Sequence, residues 1–146
     1  MKRSLLVIAC LAVPFASRGG HAQLASFCDL SRNPASYSGK QVVFDAEFTT
    51  DHIERSLLVS KECPGQGMLP HTQDGASGSA AFDDAVWLRP PSHLQESITA
   101  RFTGTFHFVS KPEMCMLANK EICRRYIDIS KIENLRVTLT PSDEKR

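Results

Sequence analysis

Cys63, His71, Cys115 and Cys123 are the residues of this chain whose types would suit a zinc ion. Structural zinc sites draw thiolates from closely spaced pairs such as Cys-x2-Cys. No such pair occurs here, and seven residues separate Cys115 from Cys123. Nucleophilic catalysis by serine would need a sharp Gly-x-Ser-x-Gly turn. Ser77, in Gly75-Ala76-Ser77-Gly78-Ser79, misses that spacing. Asp83-Asp84 could be drawn together with Glu96 or Glu113 as an acid–base pair. A chain with 16 acidic residues offers many such pairs, and Asp83-Asp84 reads as a loop-to-strand junction. His107 shares an outward strand face with Arg101 and several threonines; it could sense acid or bind a ligand, but a lone exposed histidine reads more simply as a surface residue. Trp87, the only tryptophan, reads as core or barrel-end packing. No catalytic residue, cofactor site or metal site is assigned, and the chain is expected not to be an enzyme.

The cysteines are better explained by the compartment. Met1-Lys2-Arg3 is a basic head, and residues 4–15 form an uncharged, largely apolar run closed by Pro14. Such a run suits a signal peptide and is shorter than the ~18 residues of a membrane span. Gly20-His21-Ala22 supplies small side chains for cleavage, so the mature chain is expected to start at Gln23, after Ala22. Val7-Ile8-Ala9-Cys10 offers a lipoprotein alternative, anchored at Cys10. It leaves too short an apolar core before the cysteine.

Residues 1–22 carry Lys2, Arg3 and Arg18 and no acid, so 17 basic and 16 acidic residues become 14 and 16. A mature net charge of −2 is not the footprint of a nucleic-acid binder. The mature chain is one domain by length, residues 23–140, with a polar tail at 141–146. Of the five cysteines, Cys28, Cys63, Cys115 and Cys123 remain after cleavage. An even number in an oxidising compartment reads as two disulfides, with three possible pairings.

These residues need elements to position them. Ser26 can cap a short helix, with Asp29 three residues on. Asn33-Pro34 ends it, and residues 34–40 read as a turn. Residues 41–50 alternate, with Val42, Phe44, Ala46 and Phe48 on one face, as a half-buried strand does. Residues 50–52 give a turn into a second strand over 53–60. Residues 63–80, rich in glycine and proline, read as a long surface loop. Residues 85–89 read as a short strand and 92–97 as a short helix. Residues 98–109 form a second long alternating strand, with Ile98, Ala100, Phe102, Phe106 and Phe108 inward. Gly104 falls in that inward row, where a strand bends or another backbone comes close. Residues 126–130 and 135–139 read as two last strands. The phenylalanines fall on core faces and the outer faces carry Thr, Asp and Glu. That leaves no aromatic, basic groove for single-stranded nucleic acid.

The expected fold is mainly β: a small OB-like antiparallel barrel of five to six strands with one or two short helices. The chain also resembles a family. Phe27-Cys28-Asp29-Leu30, Asn33-Pro34 and Tyr37-Ser38-Gly39-Lys40 precede an alternating strand, and Leu57-Leu58, Cys63 and Val86-Trp87-Leu88 follow. This pattern is similar to that of small exported bacterial proteins with an OB-like barrel, mostly uncharacterised. The resemblance covers residues 27–88. It implies a Cys28–Cys63 bridge, leaving Cys115 to pair with Cys123, and carries no catalytic motif. The expected function is an exported, non-enzymatic OB-like binding or interaction module of the cell envelope, periplasmic or secreted. Its partner would be an unknown protein or small ligand. A secreted hydrolase with dispersed catalytic residues, or a structural envelope component, is the alternative.

Overall fold

The computed structural model describes residues 21–50, 56–87, 94–112, 115 and 117–141. The expected signal segment including Cys10, the turn after Thr50, Glu113 and the end of the tail lie outside the described residues.

The chain opens with β1 (Gln23–Leu24), α1 (Phe27–Arg32) and α2 (Pro34–Tyr37). Ser26 caps α1 as its sequence suggests: its Oγ accepts the Asp29 N–H at 3.0 Å. Proline at the start of α2 gives up only a donor that would be unpaired there, so the expected turn is one more helical turn. β2 (Gln41–Thr50) and β3 (Ser56–Val59) pair antiparallel, with Phe48 opposite Leu58. Then come β4 (Leu69–Ser77), α3 (Ser79–Trp87), β5 (Leu94–Phe108), a 3-10 turn (Ile122–Arg124) and β6 (Arg125–Pro141).

The sheet runs β1-β2-β5-β6-β4, with β3 also on β2. Going round, β3 neighbours β2, β2 neighbours β5, β5 neighbours β6, and β6 neighbours β4. That connectivity, with a helix between the third and fourth barrel strands, is OB-like. The ring is not closed by a ladder. A single bridge between Leu58 and Met68, with reciprocal backbone bonds of 3.0 and 3.1 Å, spans the gap between β3 and β4.

Several expectations need correction. Residues 63–80 are not all loop, because β4 lies within them. It is an outer strand paired to β6 alone, and most of its residues are exposed, so it carries no apolar alternation. Its pairing with β6 is parallel, as is that of β1 with β2, so the barrel is not purely antiparallel. Residues 85–87 are helical, not strand: Phe82 and Ala85, three apart, put α3's buried side on the barrel. Asp83 and Asp84 are therefore exposed helix residues rather than a strand junction. β5 already begins at Leu94, inside the stretch expected to be a helix. Finally, the two last strands are one. β6 is irregular against β5 between the pairs Thr103–Lys131 and Gly104–Ile129, and again between Thr99–Arg136 and Arg101–Glu133. Asn134, at φ 53°, takes the left-handed conformation of a bulge. These shifts break the period-two pattern that sequence reading depends on.

Phe44, Phe102, Phe106, Leu30, Leu58, Met68, Ile127, Ile129 and Val42 are fully buried. Phe82 reaches from α3 to Phe48 (ring centroids 4.9 Å) and Phe102 (5.9 Å), fastening the helix to the barrel. Gly104 sits where β5 and β6 come closest: an added Cβ would run into the Asp128 carbonyl and lie 3.0 Å from Ile127 Cγ1. Backbone cannot move aside as a side-chain tip does. Gly104→Ala is therefore expected to destabilise by about 1–3 kcal/mol. Urea melts read this directly, and an unchanged midpoint would contradict the close approach.

Candidate functional site

The described surface carries a depression of about 580 Å³ on the outer side of β2 and β5. The alternation that turns Phe44, Ala46 and Phe48 inward leaves Asp45 and Glu47 on the other face. Cross-strand pairing sets Arg101 opposite Asp45 and Thr99 opposite Glu47. The bulge in β6 adds Asn134 and Arg136, the end of β3 adds Lys61 and Glu62, and the start of α1 adds Ser26. Three cations and three carboxylates thus share the lining.

Their charges are interleaved. Arg101 makes a two-pronged contact with Asp45, Nε to Oδ1 at 2.9 Å and Nη2 to Oδ2 at 2.8 Å. Lys61 Nζ lies 3.5 Å from Glu47 Oε2, and the Ser97 hydroxyl donates to Glu47 Oε1 at 2.8 Å. The Arg101 hydrogen bond, helped by the Arg101 and Arg136 charges, holds the Asp45 carboxyl below the usual carboxylate range. That direction suits a permanent anion, not a proton donor or acceptor at neutral pH. A depressed folded-state pKa adds stability above the unfolded value and loses it as pH falls through the folded one. Wild type should therefore lose its stability advantage over Asp45→Asn as pH drops below about 4. The advantage should be small and shrink with salt, because the pair is exposed. A stability difference that stays constant from pH 7 to pH 2 would refute this.

A second cluster lies on the neighbouring strands. β4 sets His71 opposite Asp128 of β6, and β5 sets His107 opposite Tyr126. The His107 and Tyr126 rings stack at 4.6 Å, and His71 lies 5.1 Å from Tyr126 on a tilted plane. Asp128 stands between the histidines, 2.9 Å from His107 Nε2 and 3.6 Å from His71 Nδ1. The closer contact is not a hydrogen bond, so the two groups are close neighbours only. His107 is thus not the isolated residue its strand pattern suggests. Its neighbours Tyr126 and Asp128 both come from β6, and His71 joins the group through them from β4, the strand hidden in a glycine-rich stretch.

Arg125 is the one buried charged residue among those described. Its Nη1 donates to Gln66 Oε1 at 3.0 Å and to the Gly67 carbonyl at 3.4 Å. Burial pushes its pKa down. It holds the β3–β4 connection against the start of β6.

The other candidates from sequence are placed as follows. Cys28 bridges Cys63, and Cys115 bridges Cys123, so three of the four suggested zinc ligands are disulfide sulfurs. No group of three or more His, Cys, Asp or Glu among the described residues could hold a metal ion. Ser77 is the exposed last residue of β4. Glu96 lies on β5, and Asp83 and Asp84 lie on α3. Trp87, expected to pack in the core or at a barrel end, is 66 % exposed at the end of α3, because the helix turns Phe82 and Ala85 inward instead. Ala22 and Gln23 flank the start of β1. Among the described residues no helix is long and apolar enough to cross a membrane.

Mainly β, OB-like and stapled by two disulfides is the class that fold and site define. No family model matches the chain, and neither a curated protein nor a solved structure is similar enough to count as a match.

Proposed function

We propose that this chain is an exported, non-enzymatic OB-like binding module of the cell envelope, with its ligand seated in the outer depression of β2, β5 and β6. The observation that carries the reading is the lining itself: Asp45, Glu47 and Glu62 interleaved with Lys61, Arg101 and Arg136. A surface with both signs of charge and hydrogen-bonding Ser26, Thr99 and Asn134 suits a polar ligand that carries both signs too, such as a peptide segment of a partner protein. It gives no advantage to a polyanion. Export rests on the basic head and apolar run of the sequence, and two disulfides accord with an oxidising compartment.

Two measurements test this. Crosslinking and pull-down from native envelopes should retain a partner with wild type and lose it with Arg136→Glu, which reverses one lining charge. Retention by both, or substrate turnover by purified wild type, would overturn the binding reading. Mass spectrometry of the exported chain should find Gln23 at or near its N-terminus. A lipidated Cys10, or a retained Met1, would overturn the export reading.

A further inference from the structure

β6 is longer than the strand that covers it. β4 pairs with it only as far as Lys131, opposite Ser77. Gly78 then turns the chain away, so close to β6 that an added Cβ would meet the Ile132 carbonyl. From Glu133 onward β6 pairs with β5 alone among the described residues. Its other edge offers a row of backbone N–H and C=O groups, the template to which another strand adds.

The side chains on that stretch define what could add there. Val137 lies opposite the buried Ile98 and Leu139 opposite Glu96, so both point to the core side of the sheet, beyond the end of the core. They remain 42 % and 49 % exposed. Leu135, half-buried, packs against the core on the same side. The run is Leu135-Arg136-Val137-Thr138-Leu139. Its apolar and polar positions read the same in both directions. A second copy related by a two-fold axis at Val137 would place Val137 against Val137, Leu135 against Leu139, and Arg136 against Thr138. Every apolar residue meets an apolar one, and no like charges face each other. A two-fold interface requires that self-complementarity; here it centres on an exposed valine beside an exposed leucine, with no like-charge pair to oppose it.

We infer that this edge is a homodimer interface. Two copies pair antiparallel through residues 135–139 and join their sheets into one. Main-chain hydrogen bonds supply register, and Val137 and Leu139 leave water. The inference does not rest on the ligand proposed for the depression, although Arg136 both lines that depression and lies in the paired run; the dimer test therefore substitutes Val137, which is not in the lining.

The test uses the mature full chain with both disulfides. Sedimentation equilibrium at about 100 μM detects any dimer with a Kd below that concentration. Wild type should be a dimer, with amides of 135–139 protected from exchange more strongly as concentration rises. Val137→Lys and Val137→Glu each place like charges on the two-fold axis. Each should be monomeric, with unchanged circular dichroism. The two variants mixed in equal amounts should associate again, since opposite charges then meet at the axis. A monomeric wild type would overturn the inference. So would a dimer that both variants leave intact, a mixture that stays monomeric, or edge protection independent of concentration, which would mean that the same chain covers its own edge. If a variant fails to fold, concentration-dependent protection in wild type still decides the question.

Discussion

Phe102→Ala is expected to cost about 3–5 kcal/mol, the range for truncating a fully buried phenylalanine. The reason is its position. Phe102 faces Phe44 across β2 and β5, with ring centroids 6.0 Å apart, and meets Phe82 of α3 at 5.9 Å on a near-perpendicular plane. On β6 it is paired with Ile132. One side chain therefore touches two neighbouring strands and the helix that packs on the barrel. Its removal loses the transfer energy of the ring and leaves a void that hydrogen-bonded strands cannot collapse to fill. A domain of this size commonly holds only ~5–15 kcal/mol in total, so the variant should unfold at a much lower urea concentration. Phe108→Ala is the matched control. Phe108 is half-buried at the end of β5, with the Arg124 guanidinium 4.7 Å above its ring. Its loss should cost clearly less. Equal costs for the two would mean that the aromatic row is not the centre of the core.

What the sequence made legible followed one rule, and so did what it hid. Where a strand buries one face, alternation fixes both its existence and its inward side chains. Val42, Phe44, Ala46 and Phe48 on β2, and Ile98, Phe102 and Phe106 on β5, all face the core. Gly104 was readable for the same reason, since a glycine in an inward row needs an explanation and the Asp128 carbonyl supplies it. The cap of α1 was readable because Ser26 and Asp29 form it locally. β4 was not, because it is held by backbone pairing along a mostly exposed strand. The bulge at Asn134 hid the continuity of β6, since one extra residue reverses the phase of alternation. Both misses carried over to function. Without β4, His71 could not be placed beside Asp128. Without a continuous β6, Asn134 and Arg136 could not be placed beside Arg101. The charges of the depression were visible one by one, but their assembly depends on cross-strand register.

Removing the Cys28–Cys63 bridge should destabilise the chain more than removing Cys115–Cys123, and the order follows from loop length and burial. The first bridge spans a sequence separation of 35 with its Cα atoms 5.7 Å apart, and the second a separation of 8 with Cα atoms 5.8 Å apart. Chain-entropy reasoning then gives about 4 kcal/mol for the long loop and about 2.5 kcal/mol for the short one. Location sharpens the contrast. Cys28 and Cys63 both belong to the hydrophobic core, and their bridge ties α1 to the connection that carries the chain from β3 to β4. That is where the barrel is closed by only the Leu58–Met68 bridge. Cys115–Cys123 closes only the short segment that leads into the 3-10 turn at Ile122–Arg124, in which Cys123 lies. Paired Cys→Ala variants, one pair at a time, should therefore lower the urea midpoint in unequal steps. The Cys28/Cys63 variant should also expose the amides of Leu58 and Met68 to exchange. Peptide mapping under non-reducing conditions first establishes that the pairings are present in solution. A crossed linkage such as Cys63–Cys115 would overturn them. If the pairings stand but the two variants lose equal stability, or the short loop proves the costlier, the barrel does not depend on the staple at its open seam.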